Sequence, residues 1–255
     1  MPESTRSIGT ALVTGGTRGL GRELVLALAA AGTRTWTVAR RRRGIEALSR
    51  DAPGVTVFQG DLTSRGTTAR IARRFAKDGV SLDLLVHNAG LLGPRVPLAQ
   101  WSRTDFDAVM AANVSAPFDL TRRLLPRCHT GTVVVFITSG VTTAVRTEWG
   151  AYQVSKVAVE NLARTFAREF GPAGPRVLIV DPGSMRTAMR AAAYPDEDPM
   201  SVRPPAVVAA QLLALVRGGD WTSGERVAVH QERPSGRPLD LEGLPGSEAR
   251  PDGRA

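Results

Sequence analysis

The chain has 255 residues, 42% of them hydrophobic, and a net charge of +9 at pH 7. Its cations are spread along the whole sequence apart from one cluster, Arg40–Arg43, so the charge alone does not predict nucleic-acid binding. A single cysteine, Cys128, excludes an internal disulfide and a cysteine-cluster metal site, and no apolar run reaches the roughly 18 residues of a membrane-spanning helix.

The first nine residues, MPESTRSIG, lack the basic and then apolar pattern of a secretory signal. We therefore expect a cytoplasmic protein with no membrane, nucleic-acid or metal partner.

From residue 10 onward, short β-branched runs alternate with longer helical patterns. Strands are predicted at 10–14, 35–39, 55–59, 82–87, 132–139, 176–180 and 226–230. Helices are predicted at 19–31, 42–50, 64–78, 103–126, 151–170 and 205–217. Several strand candidates are continuous apolar runs, which is typical of strands buried on both faces. The alternation predicts the α/β class, as a single domain over residues 1–231 with a doubly wound parallel sheet of about seven strands.

Two segments depart from this alternation. Residues 184–204 are too long for a routine loop between a strand and a helix, and we expect them to form a lid over a site. Residues 232–255 are rich in proline, glycine and polar residues, which predicts a disordered C-terminal tail.

A glycine-rich turn follows the first strand and opens the first helix. In TGGTRGLG, residues 14–21, the spaced glycines are Gly15, Gly19 and Gly21, with Gly16 in addition. Glycines at such a turn let backbone N–H groups approach a pyrophosphate, and the helix N-terminus adds partial positive charge. The alternative is that they only make a turn. Their placement favours a Rossmann-type nucleotide site that includes the backbone of Thr17, Arg18 and Leu20.

The end of the second strand indicates which dinucleotide binds. An NAD site usually has an acid there, but this strand runs into VARRRRG and the first acid is Glu46. Arg18, Arg40 and Arg41 are suited to a 2′-phosphate, although a solvated charge run at a helix start is the alternative. The pattern favours NADP(H).

One tyrosine and one lysine share a helix face in a chain that has few of either. The only lysines are Lys77 and Lys156, and the only tyrosines are Tyr152 and Tyr194. The spacing of four brings Tyr152 and Lys156 to one site, where an ammonium should lower the pKa of the tyrosine toward that of an acid–base catalyst. The alternative is that this spacing arose by chance, but the presence of Ser139 just past a buried strand makes chance a poor explanation.

Six motifs follow one another in the order and spacing of a known family: TGGTRGLG (14–21), HNAG (87–90), Asn113, Ser139, YQVSK (152–156) and PGSMRT (182–187). Over residues 8–230 the chain resembles the classical short-chain dehydrogenase/reductases. The resemblance implies that Tyr152 exchanges a proton with the substrate oxygen, which Ser139 also binds. It implies that Lys156 binds the nicotinamide ribose and tunes Tyr152, while Asn113 holds a water at a helix break.

The same resemblance assigns further cofactor contacts. Asp61 and Leu62 would border the adenine, and Asn88, Ala89 and Gly90 the adenosine ribose. The nicotinamide would lie against Pro182, Gly183, Met185 and Thr187. The sequence departs from the family at His87, where asparagine is common, at Thr138, where serine is frequent, and after the last strand. His87 is read as a strand-end histidine with structural partners, the alternative being an acid–base group.

The expected substrate pocket is mostly apolar. Its walls would be Leu91, Gly93, Val141, Val145, Trp149, Met185 and Met189, with Tyr194 on the lid, although Trp149 could equally pack a helix. These residues suit a carbonyl on a medium-sized, fairly apolar molecule, such as a specialised-metabolite ketone. NADPH-dependent carbonyl reduction is the first hypothesis. The alternatives are alcohol oxidation and a redox-silent dinucleotide-binding sensor or scaffold. The family also implies a homodimer or homotetramer through the helices near 103–126 and 151–170.

Overall fold

The computed structural model describes residues 7–229, and the predicted tail, 232–255, lies outside that range. The strands are β1 Thr10–Thr14, β2 Arg34–Ala39, β3 Thr56–Gln59, β4 Leu82–His87, β5 Cys128–Ile137, β6 Arg176–Asp181 and β7 Arg226–Ala228. The helices are α1 Gly19–Ala30, α2 Arg42–Asp51, α3 Arg65–Lys77, α4 Arg103–Met110, α5 Ala116–Leu124, α6 Gly150–Phe170, α7 Ala188–Ala193 and α8 Pro205–Gly218.

All seven strands form one parallel sheet in the order β3-β2-β1-β4-β5-β6-β7. The predicted fold class, a doubly wound α/β sheet, is therefore confirmed. Strands β2 and β3 are added on one side of β1, and β4 to β7 are added on its other side. The topological switch point therefore lies between β1 and β4. Ligands of such sheets bind at the carboxyl ends of the strands beside that point.

Helices cover both faces of the sheet, and each face has its own apolar core. Val13 of β1 packs with α1 and α8 in one core, and Leu12 packs with α3, α5 and α6 in the other. Successive residues of a strand point to opposite faces, so a strand covered on both sides has to be apolar throughout. This is why the central strands are uninterrupted apolar runs.

The predicted helix at 103–126 is divided. A π-helical turn, Ala111–Ser115, separates α4 from α5, and a 3₁₀ turn, Leu125–Arg127, follows α5. Ser102 caps α4 by accepting a hydrogen bond from the backbone N–H of Asp105. π-helical turns in α-helices are frequent at functional sites, and this one carries Asn113.

Other differences from the prediction are small. Strand β5 begins four residues earlier than expected and β7 ends two residues earlier. The predicted lid contains α7 and is closed at its base by a bridge between Met185 and Arg203. Across residues 7–229, no helix combines the length and apolar character that crossing a bilayer requires. The cytoplasmic location stays a prediction.

Candidate active site

The glycine turn after β1 is packed too tightly to accept side chains. A Cβ atom on Gly16 would overlap the hydroxyl of Thr37, and one on Gly21 would overlap the side-chain amide of Asn88 and lie 2.5 Å from the carbonyl oxygen of Gly15. Gly15 also has a positive φ of 71°. The three glycines therefore hold the turn against the ends of β2 and β4.

Helix α1 starts at this turn with its backbone donors uncapped by any side chain. Arg18 is the N-cap residue and its side chain makes no capping hydrogen bond. Leu20 is buried in the core, so only its backbone is available to a ligand, and Thr17 lies beside Gly44 of α2. An N-terminus in this state, next to an arginine, suits a phosphate group.

Thr14, which was not among the predicted site residues, joins the two central strands at the switch point. Its hydroxyl oxygen accepts hydrogen bonds from the backbone N–H groups of Asn88 and Ala89, each 3.0 Å long. The Asn88 side chain donates in return to the carbonyl oxygen of Thr14, at 2.9 Å. Gly90 comes next, and a Cβ there would lie 3.8 Å from the Lys156 amine. The predicted ribose segment thus runs from the glycine turn toward Lys156.

The predicted adenine and 2′-phosphate residues meet at the end of β2. Arg40 lies 3.3 Å from Asp61 in an exposed ion pair, and Arg41 is the uncapped N-cap residue of α2, whose first turn contains no acid. Although burial opposes its charge, hydrogen bonds from Thr63 and Arg40 hold the pKa of Asp61 below its ordinary value. Leu62 packs against the core beneath.

Three side chains predicted to be catalytic meet where β5 ends and α6 begins. Tyr152 and Lys156 are both buried on α6, and the Lys156 amine lies 5.6 Å from the centre of the Tyr152 ring. The amine donates a 2.8 Å hydrogen bond to the carbonyl oxygen of Ile137, the last residue of β5. Ser139 follows that strand, with its hydroxyl close enough to Tyr152 to affect the pKa of the phenol. A half-buried hydroxyl, a buried phenol and a buried amine thus lie together where β5 ends and α6 begins.

The pKa values at this position differ from the expectation. Burial raises the pKa of Tyr152 to about 12, and the negative charge of Asp181 adds to that rise while the Ser139 hydrogen bond opposes it. Burial also lowers the pKa of Lys156 to about 8, against the pull of Glu160 and Asp181. The expected lowering of the tyrosine pKa is not seen, because loss of solvent acts on both groups and outweighs the effect of a nearby ammonium.

Asn113, on the π-helical turn, ties the segment after β4 to α6. Its side-chain oxygen accepts from the N–H of Leu91 at 2.8 Å, and its amide donates to the carbonyl of Leu91 and to the hydroxyl of Ser155, each at 2.9 Å. These bonds fix the wall opposite Tyr152. Whether Asn113 also holds a water stays a prediction.

An apolar cluster covers Tyr152. Of the predicted pocket residues it contains Val141, Trp149, Met189 and Tyr194, together with Leu92 and Ala193, which were not predicted. Trp149 is 5.7 Å from Tyr152 between ring centres and 6.0 Å from Tyr194.

The other predicted pocket residues lie elsewhere. Val145 is 96% exposed and outside the apolar cluster, because the loop that carries it turns outward before α6. Met185 packs against the core around α8 instead. Leu91 stands at the cluster's edge, held by Asn113, and Gly93 lies against the Trp101 ring.

Arg95, which was not among the predicted site residues, contacts the predicted lid. Its guanidinium lies over the Trp149 ring at 4.3 Å and donates to the carbonyl oxygens of Glu148 at 3.1 Å and Ala193 at 3.0 Å. It thereby joins the end of α7 to the segment before α6. No motif surrounds Arg95, so only the tertiary structure reveals it.

The predicted nicotinamide segment lies between β6 and α7. Pro182 accepts a 2.8 Å hydrogen bond at its carbonyl oxygen from Arg203, and Gly183 donates its N–H to Asp181 at 3.0 Å. Thr187 caps α7, and a Cβ on Gly19 would lie 3.2 Å from the Thr187 methyl group. The base of the lid therefore rests on the glycine turn.

His87 packs against Phe136, and its Nε2 pairs with the Thr121 hydroxyl at 2.7 Å. Burial lowers the pKa of His87 to about 3, so the ring is neutral near pH 7. These contacts favour the structural interpretation over the acid–base one.

Comparisons with known proteins agree with this geometry. Residues 9–198 match the family described as short chain dehydrogenase. The chain is 34% identical over 240 residues to the uncharacterized oxidoreductase YciK of Escherichia coli, covering 89% of this chain and 92% of that one. It is 33% identical over 191 residues to L-xylulose reductase of Bos taurus, covering 73% and 75%.

Solved structures give the same result. A short chain dehydrogenase from Salmonella enterica serovar Typhi superposes with a TM-score of 0.83 at 30% identity, covering 91% of this chain and 100% of that chain. A chain from Escherichia coli described as a short chain dehydrogenase and solved in complex with NADPH superposes with a TM-score of 0.82, also at 30% identity and with the same coverage.

Proposed function

The chain belongs to the short-chain dehydrogenase family, and from that membership we propose that it reduces a ketone or other carbonyl of a medium-sized, fairly apolar molecule with NADPH. It is an NADP(H)-dependent oxidoreductase acting on CH–OH and C=O groups. The observation that carries the proposal is the meeting of Ser139, Tyr152 and Lys156 where β5 ends and α6 begins.

The residues at the carboxyl edge of the sheet fit a dinucleotide. The uncapped start of α1 would receive the pyrophosphate, and the Lys156 amine would bind the hydroxyls of the nicotinamide ribose. The bound nicotinamide supplies the hydride. The rest of the site has to place the carbonyl and its proton source, and to exclude water.

Tyr152 is the proton source in this proposal. Since its pKa lies at about 12, the phenol keeps its proton near pH 7 and presents it at Oη. Ser139 would hydrogen-bond the carbonyl oxygen and orient it toward that proton. Lys156 would stabilise the phenolate left behind, because its charged form lies within reach of the ring.

NADPH is favoured over NADH by the arginines at the end of β2. Arg40 and Arg41 stand where an NAD site usually has an acid, and Arg18 lies in the glycine turn at the start of α1. Guanidinium groups bind phosphate in bidentate geometry. A similar chain was solved with NADPH, which adds support.

The apolar cluster around Trp149 and Tyr194 supports a fairly hydrophobic substrate. Alcohol oxidation uses the same residues in reverse, so the direction has to be measured.

The test is a panel of ketones and aldehydes, with oxidation of NADPH followed by absorbance. Tyr152→Phe should reduce turnover by a factor of about 10² to 10⁴ while NADPH still binds. The matched control is Tyr194→Phe, which removes the only other phenol and should retain turnover. Unchanged activity of Tyr152→Phe would rule out the proposed proton source.

We also propose that the chain forms a homo-oligomer through α5 and α6. Phe118 on α5 is 44% exposed, and Val154 and Val157 on α6 are 44% and 50% exposed. Phe118 stacks on Phe166 of α6, with 6.2 Å between ring centres, so α5 and α6 are neighbours, and exposed apolar side chains on neighbouring helices suit a contact with another protein. Analytical ultracentrifugation should find a dimer or tetramer that Val157→Glu dissociates, whereas a monomeric wild type would contradict the proposal.

A further inference from the structure

Two buried carboxylates and a buried arginine lie behind the catalytic residues. Glu160 of α6 and Asp181 of β6 have side chains that are 7% and 4% exposed, and Arg226 of β7 is 15% exposed. Arg226 lies between them, with its Nε 3.0 Å from Glu160 and one Nη 2.8 Å from Asp181. We call these three residues the charged bridge.

The bridge is attached to both ends of the segment that carries Ser139. Thr138 and Thr142 each donate a hydroxyl hydrogen bond to Glu160, at 2.6 Å and 2.8 Å. Ser139 lies between them. Glu160 therefore fixes this segment from both sides, and it does so from the helix that carries Tyr152.

The bridge also reaches the segment after β6. Asp181 accepts the N–H of Gly183 at 3.0 Å, in the predicted nicotinamide segment. A single arginine on the last described strand thus connects three parts of the site: the Ser139 segment, the catalytic helix and the loop below the lid.

The charges of this region balance. Tyr152, Lys156 and Glu160 are spaced by four on one buried face of α6. Glu160 acts on Lys156 from the same helix, and Asp181 acts on it from β6. Arg226 on β7 is bound to both acids. Arg164 is paired to Glu160 at 3.2 Å. Two buried cations thus stand beside two buried carboxylates. An isolated buried ammonium tends to lose its proton, and nearby carboxylates oppose that loss.

We propose that Glu160, with Arg226 and Asp181, is a positioning residue of the reaction: it sets Ser139 against Tyr152 and provides the negative charge that keeps Lys156 an ammonium. The proposal rests on the proposed function, since it concerns the same three catalytic groups. The ionised state of Glu160 agrees with it. Although burial opposes that charge, hydrogen bonds from Thr138, Thr142 and Arg226 hold the pKa of Glu160 below its ordinary value.

The charge effect can be measured without a substrate, because the chain has only two lysines. In protein labelled with ¹³C at lysine Cε, the change Lys77→Arg leaves the Lys156 signal, whose titration is followed by NMR. Glu160→Gln keeps an oxygen for the two threonines and removes the charge. It should lower the pKa of Lys156 by about one pH unit, the smaller end of the effect of a near opposite charge.

The control is Asp119→Asn on α5. Asp119 also accepts from a threonine and two arginines, but it faces α3. The variant Asp119→Asn should leave the Lys156 titration unchanged. If Glu160→Gln does not fold, Asp181→Asn provides the same test from β6. Titration curves that superimpose on the wild type in the folded Glu160 or Asp181 variant would overturn the charge role, whether or not a ketone is reduced.

The positioning role is separated from the charge role by Glu160→Asp. This change keeps the carboxylate but shortens its reach to the threonines. We expect the Lys156 titration to stay as in the wild type, and kcat on an accepted ketone to fall about tenfold with little change in KM, since one positioned hydrogen bond is lost. An unchanged kcat would overturn the positioning role.

Discussion

Removing the arginines at the end of β2 should weaken NADPH binding and spare NADH binding. In the double variant Arg40→Ala, Arg41→Ala, each lost contact between a guanidinium and the 2′-phosphate removes a charge-assisted hydrogen bond worth about 1.5–3 kcal/mol. Arg40 is 62% exposed, so the lower value applies, which is about tenfold per arginine and about 100-fold for both. NADH has no 2′-phosphate and should bind as before.

The fold is expected to survive this change. Among residues 7–229, the only ion pair lost is that of Arg40 with Asp61, and an exposed pair contributes about 0–1 kcal/mol to stability. The measurement is the Kd of each dinucleotide by isothermal titration calorimetry, at one salt concentration. Arg42→Ala, Arg43→Ala is the matched control, because it removes the same charge from the next two residues of the same run, and Arg42 already pairs with Glu46. Equal losses for NADPH and NADH, or equal losses in the control, would refute the 2′-phosphate assignment.

Four further predictions concern stability and the lid. Gly21→Ala should lower the free energy of unfolding measured in urea. The added methyl overlaps the turn, which costs about 1–3 kcal/mol, whereas helix propensity gains about 1 kcal/mol. A more stable variant would contradict the packing of the turn. Arg226→Met should cost about 3 kcal/mol in the same assay, since it leaves two buried carboxylates without their shared cation, and a neutral effect would argue against that pairing. The pKa of His87 is lowered to about 3 in the fold, so the contribution of the neutral ring to stability is present above pH 6.5 and is lost as the pH falls from 6.5 toward 3. His87→Asn should remove that part of the pH dependence of unfolding. An unchanged pH profile would contradict this role of His87. Arg95→Ala frees the lid, so KM should rise more than kcat falls in steady-state assays, and an unaffected KM would mean that Arg95 does not order the pocket.

The fold could be predicted because its signals are local. The strands are apolar runs bounded by glycine, proline and polar residues, and the helices have a periodic apolar face. The observed boundaries differ from the predicted ones where the local signal is weak. Strand β5 starts at Cys128 because its first residues pair with β4, which no local pattern shows. The π-helical turn at Asn113 has no local pattern either, since its sequence reads as a continuous helix, and only the family resemblance implied a break there.

The site was predictable where it is made of motifs and not where it is made of distant contacts. Tyr152 and Lys156 could be paired by their spacing alone. Glu160 follows at the same interval, and a charged residue on the buried face of a helix was a signal that went unused. Arg95 has no local signature, since its partners lie 53 and 98 residues further along the chain. The sign of the tyrosine pKa shift was missed because burial cannot be read from spacing.

The π-helical turn sets how α5 is rotated relative to α4. Each residue of a helix turns the chain by about 100°, so the extra residue of a π-helical turn rotates everything after it by that angle. Val109 before the turn and Leu120 after it are both fully buried, although α4 lies against α6 and α5 lies against α3. Deleting one residue from 111–115 would restore an unbroken helix and swing the apolar stripe of α5 out of the core. The π-helical turn that brings Asn113 to the site thus also sets the rotation by which α5 buries Leu120 and Leu124 in the core.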